Sequence, residues 1–142
     1  MTPAFKVYAA QILKNAKAME TVFKAEGVRL LCGGTDNHLL LADVFGSLGV
    51  TGQEAETVLD KVGITLNKNM IADETRSAMD PSGIRFGTPA MTTRGMKEGE
   101  ATKLAEIMIT TMRAKDDLVK INELQNEVQE LCERFPVPEV MV

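Results

Sequence analysis

The most informative stretch of this sequence is SGIRFGTPA at residues 82–90. It places Arg85 between Gly83 and Gly87, and the proline near its end stops a strand because it has no N–H to donate. Glycine lets a ligand or another backbone approach closely, and a guanidinium can hold a carboxylate through two parallel hydrogen bonds. The pattern therefore predicts a strand over 83–88 that presents Arg85 to a carboxylate. From this stretch alone, a surface arginine on an edge strand is the alternative.

Size and composition indicate one globular domain over 1–142. The 142 residues are enough for one core, and 44% apolar with 25% charged residues is ordinary for such a domain. A net charge of −4 argues against nucleic acid or an anionic membrane as partner. No apolar run reaches the length of about 18 residues that a membrane span needs. Cys32 and Cys132 form no metal-binding pattern, which predicts two buried thiols in a reducing, cytoplasmic compartment.

Helices are predicted from apolar stripes and their capping residues. Thr2 and Pro3 suit the N-cap and first position of a helix, and Gly27 suits its end. Thr51 and Glu54 have the spacing of a capping box. The predicted helices cover 3–27, 52–62, a segment after Gly95, and 116–135. The stripes of the last two helices are Leu104, Ile107, Met108, Thr111 and Met112, then Val119, Leu124, Val128, Leu131 and Cys132.

Four short strands are predicted between these helices, at 28–32, 38–45, 64–67 and 83–88. The turn-rich residues 33–37 join the first two strands into a hairpin. The second strand is mostly apolar, which predicts burial on both faces. Residues 68–81 are interpreted as a long loop. The fold class is therefore α+β, a small and mostly antiparallel sheet with helices packed on one face.

The single histidine and the neighbouring polar residues are interpreted as structural. His38 has no cysteine or second histidine nearby in sequence, so no metal site is expected. Asp36 and Asn37 suit a turn in which their side chains bond the local backbone. Glu54 is interpreted as a capping residue and not as a catalytic acid.

Four blocks, in order along the chain, resemble one family. They are GGTDNHL at 33–39, GITLNKN at 63–69, SGIRFGTPA at 82–90 and TTRG at 92–95. Together they are similar to the C-terminal domain of serine hydroxymethyltransferase, a pyridoxal-phosphate enzyme of fold type I. That family interconverts serine plus tetrahydrofolate with glycine plus 5,10-methylenetetrahydrofolate and works as dimers or tetramers. The resemblance covers nearly the whole chain.

The resemblance implies roles for individual residues. Arg85 corresponds to the arginine that binds the α-carboxylate of serine or glycine. Asn69 corresponds to an asparagine that reaches the pterin ring of folate. Ser77, Ala78 and Met79 correspond to a segment that borders the folate site. Many members have Pro-Phe where this chain has Ala-Met, so the loop lacks stiffening there, and the departure concerns the detail of the folate contact and not the family.

The resemblance also implies what the chain does not supply. The family's cofactor lysine lies in a Thr-rich stretch of a preceding large domain, and no such stretch is present here. We therefore expect a small domain, joined to a large domain by the helix 3–27, that binds no pyridoxal phosphate covalently and is inactive alone. Apolar surface left on that helix and beside Arg85 would then favour self-association.

Two alternatives remain from the sequence. In the first, the chain is a stand-alone binding or regulatory domain that docks on a full-length enzyme. In the second, it is the small domain of another fold-type I enzyme. The Asn67-x-Asn69 element counts against the second alternative because it points to a folate-using branch.

Overall fold

The computed structural model describes residues 2–138, which form an α+β domain. Within that range, the chain forms six α-helices and a four-stranded antiparallel sheet of order β1-β2-β4-β3. The predicted fold class is confirmed. The elements are α1 Pro3–Ala25, β1 Arg29–Leu30, β2 Leu39–Asp43, α2 Val44–Leu48, α3 Gly52–Lys61, β3 Asn67–Asn69, β4 Gly83–Gly87, α4 Pro89–Thr93, α5 Glu98–Arg113 and α6 Leu118–Arg134.

The predicted helix starts are confirmed by their hydrogen bonds. The hydroxyl of Thr2 accepts the N–H of Phe5 at 3.2 Å and begins α1. Thr51 and Glu54 form the reciprocal capping box, with bonds of 3.1 and 2.9 Å, and begin α3. Gly27 follows the end of α1 with a φ of +76°, a conformation that favours glycine.

The core lies between one face of the sheet and the helices. Leu40 and Ile84 are 1% and 0% exposed on neighbouring strands. Phe86 extends this face, and its ring lies 5.0 Å from that of Phe23 on α1. The predicted stripe of α5 is confirmed, since its members are buried except Leu104, which is half-buried. None of the helices within 2–138 combines the length and apolarity that a membrane crossing needs.

Two strand predictions are wrong in part. The second strand is not buried on both faces: it alternates, and Leu39 is 37% exposed. It also ends at Asp43, whose carboxylate accepts the N–H of Gly46 at 2.8 Å and caps α2. The third strand begins later than predicted, at Asn67. Ile64 is buried without joining the sheet because its N–H bonds the carbonyl of Leu59 at the end of α3.

Two further predictions fail at chain turns. Cys32 is exposed and not buried, because the chain leaves β1 after Leu30 and turns with Cys32 at a φ of +58°. Cys132 is half-buried. Val119 is 71% exposed, because Asp117 caps α6 and Val119 falls on the outer side of its first turn. Ile121, 5% exposed, takes its place in the core.

Ile84 tests the link between this core and the strand that carries Arg85. We expect Ile84→Ala to lower the free energy of unfolding by about 3 kcal/mol, because the cavity left behind cannot collapse under a paired strand. Val7→Ala is the control: Val7 is 72% exposed, and a change below about 0.5 kcal/mol is expected. Urea unfolding followed by circular dichroism measures both, and equal effects would contradict this account of the core.

Candidate functional site

Arg85 lies on the face of the sheet opposite the core. It sits at the middle of β4, directly across from Leu41 on β2 and Asn67 on β3. Alternation along the strand buries Ile84 and Phe86 and leaves Arg85 exposed. Within residues 2–138, no hydrogen bond or ion pair involves its guanidinium. The sheet thus presents a fixed cation whose donors remain available.

An open cavity of about 580 Å³ lies beside Arg85. One wall is formed by β2, and the other by the Gly33–Asn37 loop and the side chains of Lys17 and Glu20 on α1. The volume is within the range of small-molecule sites, about 300–1,000 Å³. Two cations therefore face this space, but only Arg85 lacks a carboxylate partner among the described residues.

Glu20 fixes the loop that forms this wall. Its carboxylate accepts the N–H of Thr35 at 2.9 Å and the ammonium groups of Lys17 at 3.0 Å and Lys24 at 2.6 Å. Burial by itself would raise the pKa of Glu20, but the hydrogen bonds from Lys24, Thr35 and Lys17 outweigh it and lower the pKa to about 2. Glycine is required at Gly34, where a Cβ would lie 2.4 Å from a Glu20 oxygen.

The predicted folate residues fall in two groups. Asn69 is paired with Gly83, so it shares the face of Arg85, two positions along the ladder. Its amide nitrogen donates to the carbonyl of Met70 at 2.6 Å. Ser77, Ala78 and Met79 are exposed in the loop that joins β3 to β4, and the Ser77 hydroxyl accepts the N–H of Met79 at 3.1 Å. No hydrogen bond within 2–138 connects this turn to Asn69 or Arg85.

One carboxylate organises the base of that loop. The Glu74 oxygens accept the N–H and hydroxyl of Ser82 at 2.9 and 2.7 Å, the N–H of Arg76 at 2.9 Å and that of Ile71 at 3.4 Å. The Ser82 N–H and hydroxyl, helped by the other two amides and opposed by desolvation, lower the pKa of Glu74 to about 2. The side chain is therefore an anion at neutral pH.

Sequence reasoning missed Glu20 and Glu74. A signal existed for Glu20, which is four residues after Ala16 and one after Met19, on the buried stripe of α1. A charge at such a position needs partners. No sequence pattern pointed to Glu74. The residues that donate to it lie in the same irregular loop or at its end, where no helix or strand periodicity marks buried positions.

The interpretation of residues 36–38 as structural, with Asp36 and Asn37 bonding the local backbone, agrees with the structure only in part. Asn37 bonds the local backbone, its side-chain oxygen accepting the N–H of Leu39 at 2.7 Å. Asp36 instead faces Lys17, 3.6 Å away, and His38 is exposed. Between Thr2 and Pro138, no cluster of histidine, cysteine, aspartate and glutamate is arranged to hold a metal ion.

The structure thus defines a class, a small α+β domain whose antiparallel sheet carries an arginine on its open face. The family model for serine hydroxymethyltransferase matches residues 1–108. A serine hydroxymethyltransferase of Acidobacterium capsulatum is 43% identical over 137 residues, 96% of this chain and 32% of that protein. A serine hydroxymethyltransferase of Mycoplasma capricolum subsp. capricolum is also 43% identical over 136 residues, which are 96% of this chain and 33% of that protein. The chain belongs to the serine hydroxymethyltransferase family, and it spans about a third of the length of these relatives.

Glu20→Gln tests whether a buried anion holds the cavity wall. We expect the free energy of unfolding to fall by about 2 kcal/mol at pH 7, since charge-assisted bonds to Thr35, Lys17 and Lys24 weaken. The folded-state pKa is below the usual 4.5, so this stabilisation is complete above pH 4.5 and disappears as the pH falls toward 2. Urea unfolding between pH 7 and 3 measures the difference from wild type.

Glu106→Gln is the matched control for that variant, because Glu106 is an exposed glutamate on α5. We expect it to change the free energy of unfolding by less than about 0.5 kcal/mol at any pH in this range. A Glu20→Gln difference that stayed constant from pH 7 to pH 3 would contradict the role of the ionised carboxylate.

Proposed function

We propose that this chain acts as the C-terminal part of a serine hydroxymethyltransferase and that Arg85 binds the α-carboxylate of serine or glycine. The reaction would interconvert serine and tetrahydrofolate with glycine and 5,10-methylenetetrahydrofolate. The observation that carries the proposal is the exposed Arg85 guanidinium, which has no partner within residues 2–138 and faces an open cavity. Family membership supplies the reaction class.

Arg85 would orient the amino acid. A carboxylate held by two parallel N–H bonds loses rotational freedom, so the bonds at Cα point in fixed directions. The strand position supports this role, since β4 is paired on both sides and cannot shift easily. Leu39, 37% exposed on the same face, would limit water around the bound carboxylate.

Folate would bind beside this carboxylate site. The Asn69 amide can donate to and accept from a pterin edge, and it lies on the same face of the sheet as Arg85. Ser77, Ala78 and Met79 would contribute from the exposed loop, Met79 with a side chain that is 75% exposed. Tetrahydrofolate is thus proposed as a co-substrate that contacts this chain directly.

The described residues do not fit a covalent site for pyridoxal phosphate. The lysine that lines the cavity is Lys17, and its hydrogen bond to Glu20, aided by Asp36, raises its pKa. A protonated amine is not a nucleophile, and the ion pair with Glu20 at 3.0 Å favours that form. The cofactor, which supplies an electron sink for bonds at Cα when bound, is therefore assigned to the part of the relatives that this chain does not match.

Exposed apolar side chains on α1 form a surface that could contact the part of the enzyme that this chain does not match. Phe5 and Leu13, which lie on neighbouring sides of this helix, are 49% and 45% exposed. We propose that they pack against the remainder of the enzyme and that α1 joins the two parts. In an isolated chain this surface would favour self-association.

A chimera tests the carboxylate role. This chain replaces the matching 137 residues of the Acidobacterium capsulatum enzyme, and kcat/KM for serine is measured with tetrahydrofolate. We expect Arg85→Ala to lower kcat/KM by about two to three orders of magnitude, because the substrate carboxylate loses its charged, bidentate partner. Arg85→Lys should recover only part of this, since an ammonium cannot form the bidentate pair.

Arg113→Ala is the control for the chimera. Arg113 is an exposed arginine on α5 that pairs with Glu26, away from the sheet. We expect its kcat/KM to stay within about twofold of the unmodified chimera. If Arg85→Ala and Arg113→Ala behaved alike in an active chimera, the carboxylate role would be wrong.

The isolated chain gives a second test. Purified chain with serine, tetrahydrofolate and pyridoxal phosphate should show no turnover above a buffer blank, because Lys17, the lysine that lines the cavity, is paired with Glu20 as an ammonium group. Borohydride treatment should trap no cofactor on the protein, as measured by mass spectrometry. A single trapped lysine with yellow absorbance before reduction would refute this assignment.

A further inference from the structure

The loop between β3 and β4 is closed at its base by the Glu74 carboxylate. Ile71 is the second residue of the loop and Ser82 is its last residue, and both donate their N–H to the same Glu74 oxygen, at 3.4 and 2.9 Å. The second oxygen accepts the Ser82 hydroxyl and the N–H of Arg76. One side chain therefore connects the two ends of a loop of thirteen positions between Asn69 and Gly83.

The Glu74 anion is satisfied by neutral donors. None of the ion pairs within 2–138 includes it, so its partners are three backbone amides and one hydroxyl. Ion pairs between flexible surface side chains fix little geometry. The bonds from the Arg76 and Ser82 amides, both 2.9 Å, and from the Ser82 hydroxyl, 2.7 Å, fix where the chain runs, because the backbone cannot reorient without losing them; the Ile71 amide, at 3.4 Å, adds a longer and weaker bond.

Ser82 attaches the loop to the chain that follows β2. Its carbonyl accepts the N–H groups of Val44 at 3.1 Å and Phe45 at 3.0 Å. The next residue, Gly83, is so closely packed that a Cβ would lie 2.6 Å from Ile71 and 2.8 Å from the Asn69 carbonyl oxygen. The start of the loop and the start of β4 are thus in direct contact.

The outer part of the loop has a separate anchor. The Arg76 guanidinium donates to the Asp80 carbonyl at 3.1 Å, pairs with the Asp80 carboxylate and stacks 4.3 Å above the Phe45 ring. This closes the turn that contains Ser77–Met79. Because the Glu74 carboxylate also holds the Arg76 N–H, the turn is connected through Arg76 to the base of the loop.

We propose that Glu74 is a positioning residue that sets the folate-facing loop relative to Arg85 by joining Ile71, Arg76 and Ser82 through one carboxylate. This inference rests on the proposed function. Arg85 itself is held by pairing with β2 and β3, independently of Glu74. Loss of the carboxylate should therefore displace the loop and spare the arginine, so the effect should fall on tetrahydrofolate and not on serine.

The test uses the chimeric enzyme with Glu74→Gln, Glu74→Ala and Glu74→Asp. We expect Glu74→Gln and Glu74→Ala to raise the KM for tetrahydrofolate about tenfold, while the KM for serine changes less than twofold, since a loop displaced by a fraction of an ångström loses contacts to one substrate only. Glu74→Asp keeps the charge and should recover part of the folate KM.

Asp73→Asn is the matched control. Asp73 is the neighbouring exposed carboxylate, and its φ of +59° is one that asparagine tolerates. The substitution removes the same charge one residue away, and both KM values should stay within twofold of the unmodified chimera.

Hydrogen exchange of the chimera provides a readout that does not depend on turnover. In Glu74→Gln, the amides of Ile71, Arg76 and Ser82 should exchange at least tenfold faster, while those of the β2–β4 ladder keep their protection. A variant that fails to fold would lose protection in the ladder as well. If Glu74→Gln and Glu74→Ala fail to fold, KM for tetrahydrofolate is measured in Glu74→Asp, where we expect a smaller rise.

Three outcomes would overturn the inference. They are an unchanged folate KM in folded Glu74→Gln and Glu74→Ala, an equal rise in both KM values, and unchanged exchange of the three loop amides. Each leaves the effect of Arg85→Ala on serine intact, so the proposed function would survive. If instead Arg85→Ala matched Arg113→Ala, the proposed function itself would fail.

Discussion

The pairing of β4 between β2 and β3 is the constraint on which the rest of the structure depends. A strand that is bonded on both edges cannot rotate, so its alternate side chains must point to opposite faces. Ile84 and Phe86 enter the core, and Arg85 is forced outward between them. Burial of the two apolar side chains thus provides the energy that holds the cation in one direction.

Two buried or half-buried carboxylates extend this constraint to the loops. Glu20 fixes the Gly33–Asn37 loop on α1, and Glu74 fixes the loop that joins β3 to β4. Both accept backbone N–H groups, and the pKa of each is lowered to about 2. The cavity beside Arg85 and the loop beyond it are therefore bounded by anchored segments and not by free coil. Such anchors are consistent with a site that must hold two substrates in register, as proposed here.

Much of the fold was predictable because its signals are local. The capping box of Thr51 and Glu54, the start of α1 at Thr2 and the stripe of α5 each depend on residues within a few positions, and the structure confirms them. The errors occur where a nearby cap or turn overrode an apolar pattern. Ile64 and Val119 have the right composition for a strand and a buried stripe, but the end of α3 and the Asp117 cap determined their positions.

The α+β class, the starts of the four longer helices within a few residues, the family, and Arg85 as the residue to examine all followed from the amino-acid sequence; the short helices α2 and α4 did not. These follow from periodicity, capping chemistry and ordered blocks, all of which are properties of the chain read in one direction. Tertiary contacts alone decided that Lys17 is paired while Arg85 has no partner among residues 2–138, and that Glu20 and Glu74 anchor the loops around them. Those facts depend on contacts between segments distant in sequence, such as Glu20 with Thr35, and on burial that changes the pKa of a carboxylate, neither of which a local pattern encodes.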